Sequence, residues 1–379
     1  MRQIIKNLLH ILLVLVPMGS IIDAQAQQPD ECNEAVSQRK DTWFQQLRQA
    51  NFNINDNRIQ YPKFLDFCRK VYNWGDRVFN SYDTTYVRGT GHNWKVYLHS
   101  HNWHQTYAYK FRGKPLVLST DLNSDIGLNL NFMAVGIGYT WNINKLISGN
   151  NNDNKTFSIS FTCARFYAEF VSTKSEGDTY IRYAGNTDLA DYTNHRIDKR
   201  NHISKMFNLY YFFNNRKFSH AAAYCYSKYQ LRSCGSWIAG ISLENHKIEM
   251  DFSKIISQND IVNSDISVIK YHKYNHMDFT LSGGYSYNLA MPHNWLYNIT
   301  ILPTLGYKHT EIYEDNRIPS DNGEHSLSLN CHSKMSLTYN HKSLFASAVL
   351  RVDGGYYFAN GYTFVNSMEN GSIIIGFRF

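Results

Sequence analysis

Residues 277–289 read MDFTLSGGYSYNL. Met277, Phe279, Leu281, Tyr285, Tyr287 and Leu289 fall on one parity, and Asp278, Thr280, Ser282, Ser286 and Asn288 on the other. Successive side chains of a β-strand point to opposite faces, so this is a long strand with one apolar face. Its other face is mostly Ser, Thr and Asn. A soluble sandwich also alternates, but its polar face meets bulk water and is usually rich in Lys and Glu. Small neutral polar groups suit a crowded, hydrated lumen.

The same alternation recurs along the chain. Ile126, Leu128, Leu130 and Phe132 oppose Gly127, Asn129 and Asn131. After a tight turn, Val135, Ile137, Tyr139 and Trp141 oppose Gly136, Gly138, Thr140 and Asn142. Segments 156–163, 236–244, 325–340 and 344–353 follow suit. Short links near Asn214-Asn215-Arg216 and Asn340-His341-Lys342 alternate with long polar ones over 172–200, 248–272 and 310–324. That asymmetry is the one expected between periplasmic turns and external loops. The chain closes on Ile373, Ile375, Phe377 and Phe379 on one face, an amphipathic last strand with Phe379 as the assembly signal. The pattern predicts an all-β fold, an antiparallel transmembrane β-barrel of about 12 strands (10–14), preceded by a short helical N-terminal periplasmic segment.

Composition agrees. Twenty-eight Tyr and 22 Phe accompany a mean hydropathy of only -0.44, which suits polar lumen and aromatic girdles together. Behind the N-terminus no run of 18 apolar residues exists, which excludes a helical membrane protein. Arg2 and Lys6, the apolar stretch Leu8 to Val16, and Ala24-Gln25-Ala26 read as a secretory signal peptide over 1–26. Residues 27–90 form the helical periplasmic segment and 91–379 the barrel. Within the segment, one helix is expected from Glu31 to Gln49, with Trp43, Phe44 and Leu47 apolar. A second follows Pro62, with Phe64, Phe67, Cys68, Val71 and Tyr72 at helical spacing. The plain reading is a lead-in packed on the rim, and the functional one is a plug or partner-docking helix. The +7 formal charge is scattered, so it reads as surface or lumen charge rather than a nucleic-acid footprint. The expected partners are outer-membrane lipid, lipopolysaccharide and the barrel assembly machinery, with no nucleic acid. Cys32 and Cys68 either pair in an oxidising periplasm or stay free. No motif calls for a cofactor.

Residues 211–247, YFFNNRKFSHAAAYCYSKYQLRSCGSWIAGISLENHK, resemble a specific family. The matching residues include Lys217, Phe218, Ser219, Gln230, Ser233, Gly235 and Ser236, with Phe213, Asn214, Ala222, Ala223, Arg232 and Gly240. His220 and Cys234 depart from its pattern. Asp83-Thr84-Thr85-Tyr86-Val87 and the terminal Gly376-Phe377-Arg378-Phe379 are similar to its other marks. The family is a Bacteroidetes outer-membrane group classed as a domain of unknown function, number 4421. The resemblance, over about residues 75 to 379, implies an outer-membrane location and no particular activity.

Lys228, Gln230 and Arg232 share a face of what reads as one strand, projecting into the lumen with Glu244 facing them. Asp278, Lys334, Arg351, Asp353 and Arg378 line neighbouring walls. The groups either form a constriction that binds or filters a small solute, or a network that fills a small lumen. An acyl hydrolase is weaker. Ser219 and His220, as neighbours on a strand, would face apart, and Ser236 is not in GxSxG. His332 and Ser336 lie about 13 Å apart on one face. His99, His101, His104, His272 and His276 lack the spacing of a strong metal site. The function expected is a small pore, a lumenal solute binder or a surface-loop interaction protein. A barrel-embedded lipid-modifying enzyme and a soluble periplasmic sandwich are the rivals.

Overall fold

The computed structural model describes residues 42–49, 56–79, 81–111, 114–144, 153–184, 193–194, 196–251, 271–314, 324–359 and 362–379. Residues 1–41, with the expected signal peptide and Cys32, lie outside them, as does the Cys68 side chain. The N-terminal unit holds helix α1 (Trp43–Gln49) and the start of α2 (Lys63–Phe79). Thr42 and Gln45 cap α1 reciprocally: Gln45 N donates to Thr42 Oγ1 and Thr42 N to Gln45 Oε1. No described helix is long and apolar enough to cross a membrane.

The second unit is a closed antiparallel barrel of twelve strands. In chain order the wall is β2 (Trp94–Phe111), β3 (Lys114–Thr120) running on into β4 (Asn123–Phe132), β5 (Val135–Asn142), β6 (Asp153–Thr162), β7 (Phe166–Tyr183) and β8 (Arg196–Phe212). It continues through β10 (Cys234–Asp251), β11 (Tyr271–Met291), β12 (Trp295–Glu314), β13 (Glu324–His341), β14 (Leu344–Ala359) and β15 (Tyr362–Arg378). Two further three-residue strands, β1 (Val87–Gly89) and β9 (Lys228–Gln230), pair with each other instead. β15 closes on β2 from Tyr362 opposite Phe111 to Arg378 opposite Lys95. Trp94 and Phe379 then exchange both backbone hydrogen bonds at 3.0 Å, which seals the seam.

Apolar medium cannot satisfy backbone donors or acceptors, so a spanning sheet must close on itself. The side chains show which medium that is. Leu281, Leu305, Leu327, Leu329, Ile373 and Ile375 are more than half exposed on the outer face. Thr280, Ser286, Asn288, Asn298, Ser328 and Thr338 are wholly buried on the inner one. This inverts the burial of a soluble protein, and it is the arrangement of a transmembrane barrel. Trp94, Phe132 and Phe379 cluster at the terminal rim, with Trp295 on Tyr339 nearby, as an aromatic girdle.

At the terminal rim most turns are short. Met133 and Lys342 take left-handed φ of 48° in the links between β4 and β5 and between β13 and β14. Most far-rim links are longer. The strands outrun the sequence reading: β7 reaches Tyr183 and β8 starts at Arg196, inside the 172–200 expected as loop. Ser172 to Thr179 carry polar residues on both faces, so no period-two signal marks that extension. β11 has 21 residues and β12 has 20, against the roughly 9–11 that cross a bilayer. The wall therefore projects well past the membrane.

One correction concerns 213–233. The sequence reads a short link at Asn214-Asn215-Arg216 and then a strand. The chain instead leaves the wall at Phe212, turns through a π-helical Ala221–Cys225 and rejoins at Cys234. Phe218, Ala222 and Ala223 are completely buried, as is nearly all of Tyr226. The segment is a stopper packed into the barrel. A second irregularity lies at β5 and β6. They end where β3 pairs directly with β7, Thr120 opposite Thr179, so the ring narrows by two strands above them. Asp125 secures that branch point by accepting from Trp103 Nε1 at 2.9 Å, Asn142 Nδ2 at 2.7 Å and Asn154 Nδ2.

A cation on the lipid face of such a wall costs about 2–4 kcal/mol at mid-membrane depth. Leu281→Arg is expected to lose that much in urea titration of the vesicle-inserted protein. Ser282→Thr, on the adjoining inward position, is expected to lose under about 1 kcal/mol.

Candidate functional site

The stopper is held by side chains that the strand parity aims inward. Lys95 Nζ donates to Cys225 O at 2.7 Å, and Arg378 Nε donates to Tyr226 O at 2.6 Å. Arg378 also reaches Lys342 O and the Asn340 carboxamide oxygen. Tyr224 OH donates to Asn298 Oδ1 at 2.6 Å, and the Lys334 ammonium sits 3.9 Å from the centre of the Tyr224 ring. Ser336 and Thr338 hydroxyls both donate to Ala223 O. Each tie satisfies a backbone or side-chain group that the lumen would otherwise strand.

Gln230 organises the stopper from within. Its Oε1 accepts from Ser219 N and from Asn288 Nδ2, and its Nε2 donates to Lys217 O and Arg232 O. Asn214 N donates to Ser236 Oγ and Ala290 N to Ser233 Oγ. β9 pairs with β1, so Val87 lies opposite Gln230, and Asp83 N donates to Arg216 O. The two stretches singled out by family resemblance, 83–87 and 213–236, are thus one substructure.

Lys228 and Arg232 are corrected by this geometry. They lie on the stopper rather than on a wall strand: Lys228 is over the Tyr82 ring, and Arg232 shares the Tyr86 ring with Lys217. None of Lys228, Gln230, Arg232 and Arg378 lines the lumenal cavity. Ser219 and His220 fail as a dyad for another reason than strand parity. His220 caps the start of the π turn, stacked among Tyr167, Phe212 and Tyr224, with no hydrogen-bond partner at either ring nitrogen. Burial pushes its pKa down to about 3, so the ring stays neutral.

Above the stopper lies a cavity of 380 Å³, within the range of roughly 300–1,000 Å³ typical of ligand pockets. Tyr224, Cys225 and Tyr226 form its floor. Glu244, Asp278, Lys334, Arg351 and Asp353 line its walls together with His202, His246, His276, Lys308 and His332. Asp278 binds Lys308 at 2.9 Å, both almost fully buried. Asp353 accepts from Arg351 Nε at 2.6 Å and His332 Nδ1 at 2.7 Å, so Nε2 of a neutral His332 is an acceptor. Glu244 takes a hydrogen bond from His246 Nε2 at 3.2 Å, which leaves His246 Nδ1 to accept from His202 Nε2 at 3.2 Å. His276 stacks on His246 with centroids 4.7 Å apart.

The other sequence candidates scatter. His99 lies between Asn129 and Thr140, and His101 receives the Asn370 amide. His104 is 3.8 Å from Glu369, and the His272 side chain is outside the described residues. Among the described residues no group of three or more His, Cys, Asp or Glu is placed to hold a metal ion. Ser372 Oγ is 3.5 Å from His101 Nδ1, but Asn370 rather than a carboxylate sits on that ring. Ser336 is engaged with the stopper, away from His332. Sequence reasoning missed Lys308 and His246. The alternation that exposes Leu305 and Tyr307 would have turned Lys308 inward.

These features define a transmembrane β-barrel whose lumen is stoppered at the terminal rim. The chain belongs to the family described as a domain of unknown function (DUF4421), whose model covers residues 81–379. No curated protein matches the sequence. Among solved structures, the outer membrane protease OmpT from Escherichia coli aligns at TM-score 0.35 and 8% identity, over 77% of this chain and 98% of that one. The translocator domain of the autotransporter NalP from Neisseria meningitidis aligns at 0.28 and 8%, over 83% and 96%. The toluene transporter TodX from Pseudomonas putida aligns at 0.26 and 7%, over 76% and 90%. Scores and identities this low carry nothing about function.

Removing one member of a buried ion pair strands the other, at about 3–5 kcal/mol. Lys308→Met is expected to cost that much in urea unfolding, and Asp278→Leu with Lys308→Met to recover most of it. Equal losses in the single and double variants would mean that the pair is not buried.

Proposed function

We propose that this chain is a bacterial outer-membrane protein that binds a small polar solute inside a blind lumen entered from the outer face. The short-turn rim of the barrel, with its stopper, lies on the periplasmic side, with outer-membrane lipid and lipopolysaccharide against the apolar belt. The observation that carries this reading is the stopper. A passive pore needs a continuous aqueous path, and 213–233 fills the periplasmic end with a segment hydrogen-bonded to the wall. A cavity of ligand size with convergent polar groups remains above it.

Single-channel recording in planar bilayers tests the reading. The wild-type protein is expected to be silent. Arg378→Ala and Gln230→Ala, which unfasten the stopper, are expected to give flickering openings while heat-modifiable gel migration shows an intact barrel. Steady conductance by the wild type would overturn the blind lumen in favour of a passive pore.

A further inference from the structure

The terminal-rim face of the stopper is strongly basic. Arg88, Arg216, Lys217, Arg232 and Lys342 are all exposed there. Asp83 is the one acidic side chain in the stretches that build this rim, 81–95, 133–134, 163–165, 213–233, 290–296 and 341–343. Its field reaches Lys217 and Arg232, but its Oδ1 is taken up by Thr85, whose backbone N donates at 2.9 Å and whose hydroxyl donates at 2.7 Å. None of the five cations has an ion-pair partner among the described residues. Lys217 and Arg232 lie 5.1 and 5.7 Å from the centre of the Tyr86 ring, and Arg88 lies 5.6 Å from that of Tyr229. Tyr229 also donates to Lys342 O, and Asp83 N to Arg216 O, which gathers all five around residues 83–89. A ring face holds a cation without cancelling its charge. Like charges collected this way repel one another, and an anion laid across them relieves the repulsion.

Position and shape narrow the anion. β1 and β9 pair only with each other, and Gln230 of β9 is tied to Asn288 on the inner wall, so the basic face lies over the mouth of the lumen. Lipid surrounds the outside of the ring and does not cover it. A recess of 410 Å³ opens between this face and the turn from β11 to β12. Arg88 is the one Lys, Arg, Asp or Glu on its lining, with Leu231 and Trp295 as exposed apolar neighbours. Gln230 and Asn340 line it too, and they are among the side chains that fasten the stopper. A single guanidinium between apolar surfaces matches a carboxylate flanked by apolar side chains. An inorganic phosphate would leave those surfaces bare. We propose that the terminal-rim face of the stopper is a docking surface for an acidic peptide segment of a periplasmic protein, with one of its carboxylates seated on Arg88. The partner's compartment rests on the placement of this rim given above.

Fluorescence anisotropy on the full chain in nonionic detergent tests it. The probe is the fluorescein-labelled hexapeptide EELEEL, with QQLQQL as the uncharged comparator and tripolyphosphate and trigalacturonate as competing anions. EELEEL is expected to bind, more weakly as salt rises, and QQLQQL to stay free. Arg88→Glu, and Lys217→Glu with Arg232→Glu, are each expected to weaken EELEEL by about tenfold or more, with heat-modifiable migration unchanged. Lys155→Glu with Lys174→Glu, two exposed wall lysines, makes as large a charge change and is expected to leave binding within about twofold. Should the reversals fail to fold, Arg88→Gln serves instead, with the same direction expected. No binding of EELEEL, binding of QQLQQL as tight as that of EELEEL, or an equal loss in the wall-lysine variant would overturn the docking site. Binding of tripolyphosphate or trigalacturonate without EELEEL would overturn the peptide assignment. Each of these results leaves the blind lumen standing, because conductance reads that separately.

Discussion

Everything in this barrel follows from one constraint: a backbone inside apolar medium must satisfy all its hydrogen bonds internally. A closed antiparallel sheet does so, and the seam between Trp94 and Phe379 completes it. The period of two then sorts side chains without further instruction. Leucines, isoleucines and aromatics go out to lipid, and Ser, Thr, Asn and the charged residues go in. The lumen inherits a second demand, because polar side chains crowded away from water need partners of their own. The stopper and the wall pairs answer it. Lys95 and Arg378 cap its carbonyls, Tyr224 and Gln230 connect it to Asn298 and Asn288, and Asp278 with Lys308 and Asp353 with Arg351 neutralise the walls.

The wall was legible in the sequence because lipid and lumen impose opposite requirements on alternate residues. Parity alone turned Asp278, Lys334, Arg351 and Asp353 inward, and the structure has them around the cavity. The stopper was not legible. Phe218 to Tyr226 is largely apolar without alternation, and a buried segment of that kind gives no period to distinguish it from a strand. Lys228, Gln230 and Arg232 looked like a strand face because β9 is a strand, only three residues long and paired with β1 rather than with the wall. The upper half of β7 was hidden for a different reason. Where the wall rises clear of lipid, neither face need be apolar, so Ser172 to Thr179 carry no pattern.

The motif residues acquire a physical meaning from this arrangement. Ala222 and Ala223 are buried completely, so branched or aromatic side chains there would overpack the stopper. Ser219, Gln230, Ser233 and Ser236 supply or receive bonds that fix the path of 213–236. The resemblance marks the part of the chain that closes the lumen. The charged groups on the cavity lining, Glu244 and Asp278 among them, lie on the walls outside that motif.

The central claim is that 213–233 sits inside the barrel. Cross-linking tests it most directly, in a variant with the native cysteines replaced by serine and with Ala223→Cys and Thr338→Cys introduced. The Thr338 hydroxyl lies 3.4 Å from Ala223 O, so a short bifunctional thiol reagent is predicted to join the pair efficiently in the membrane-embedded protein. Absence of the link in protein that still shows heat-modifiable migration would place the segment outside the lumen and contradict the account.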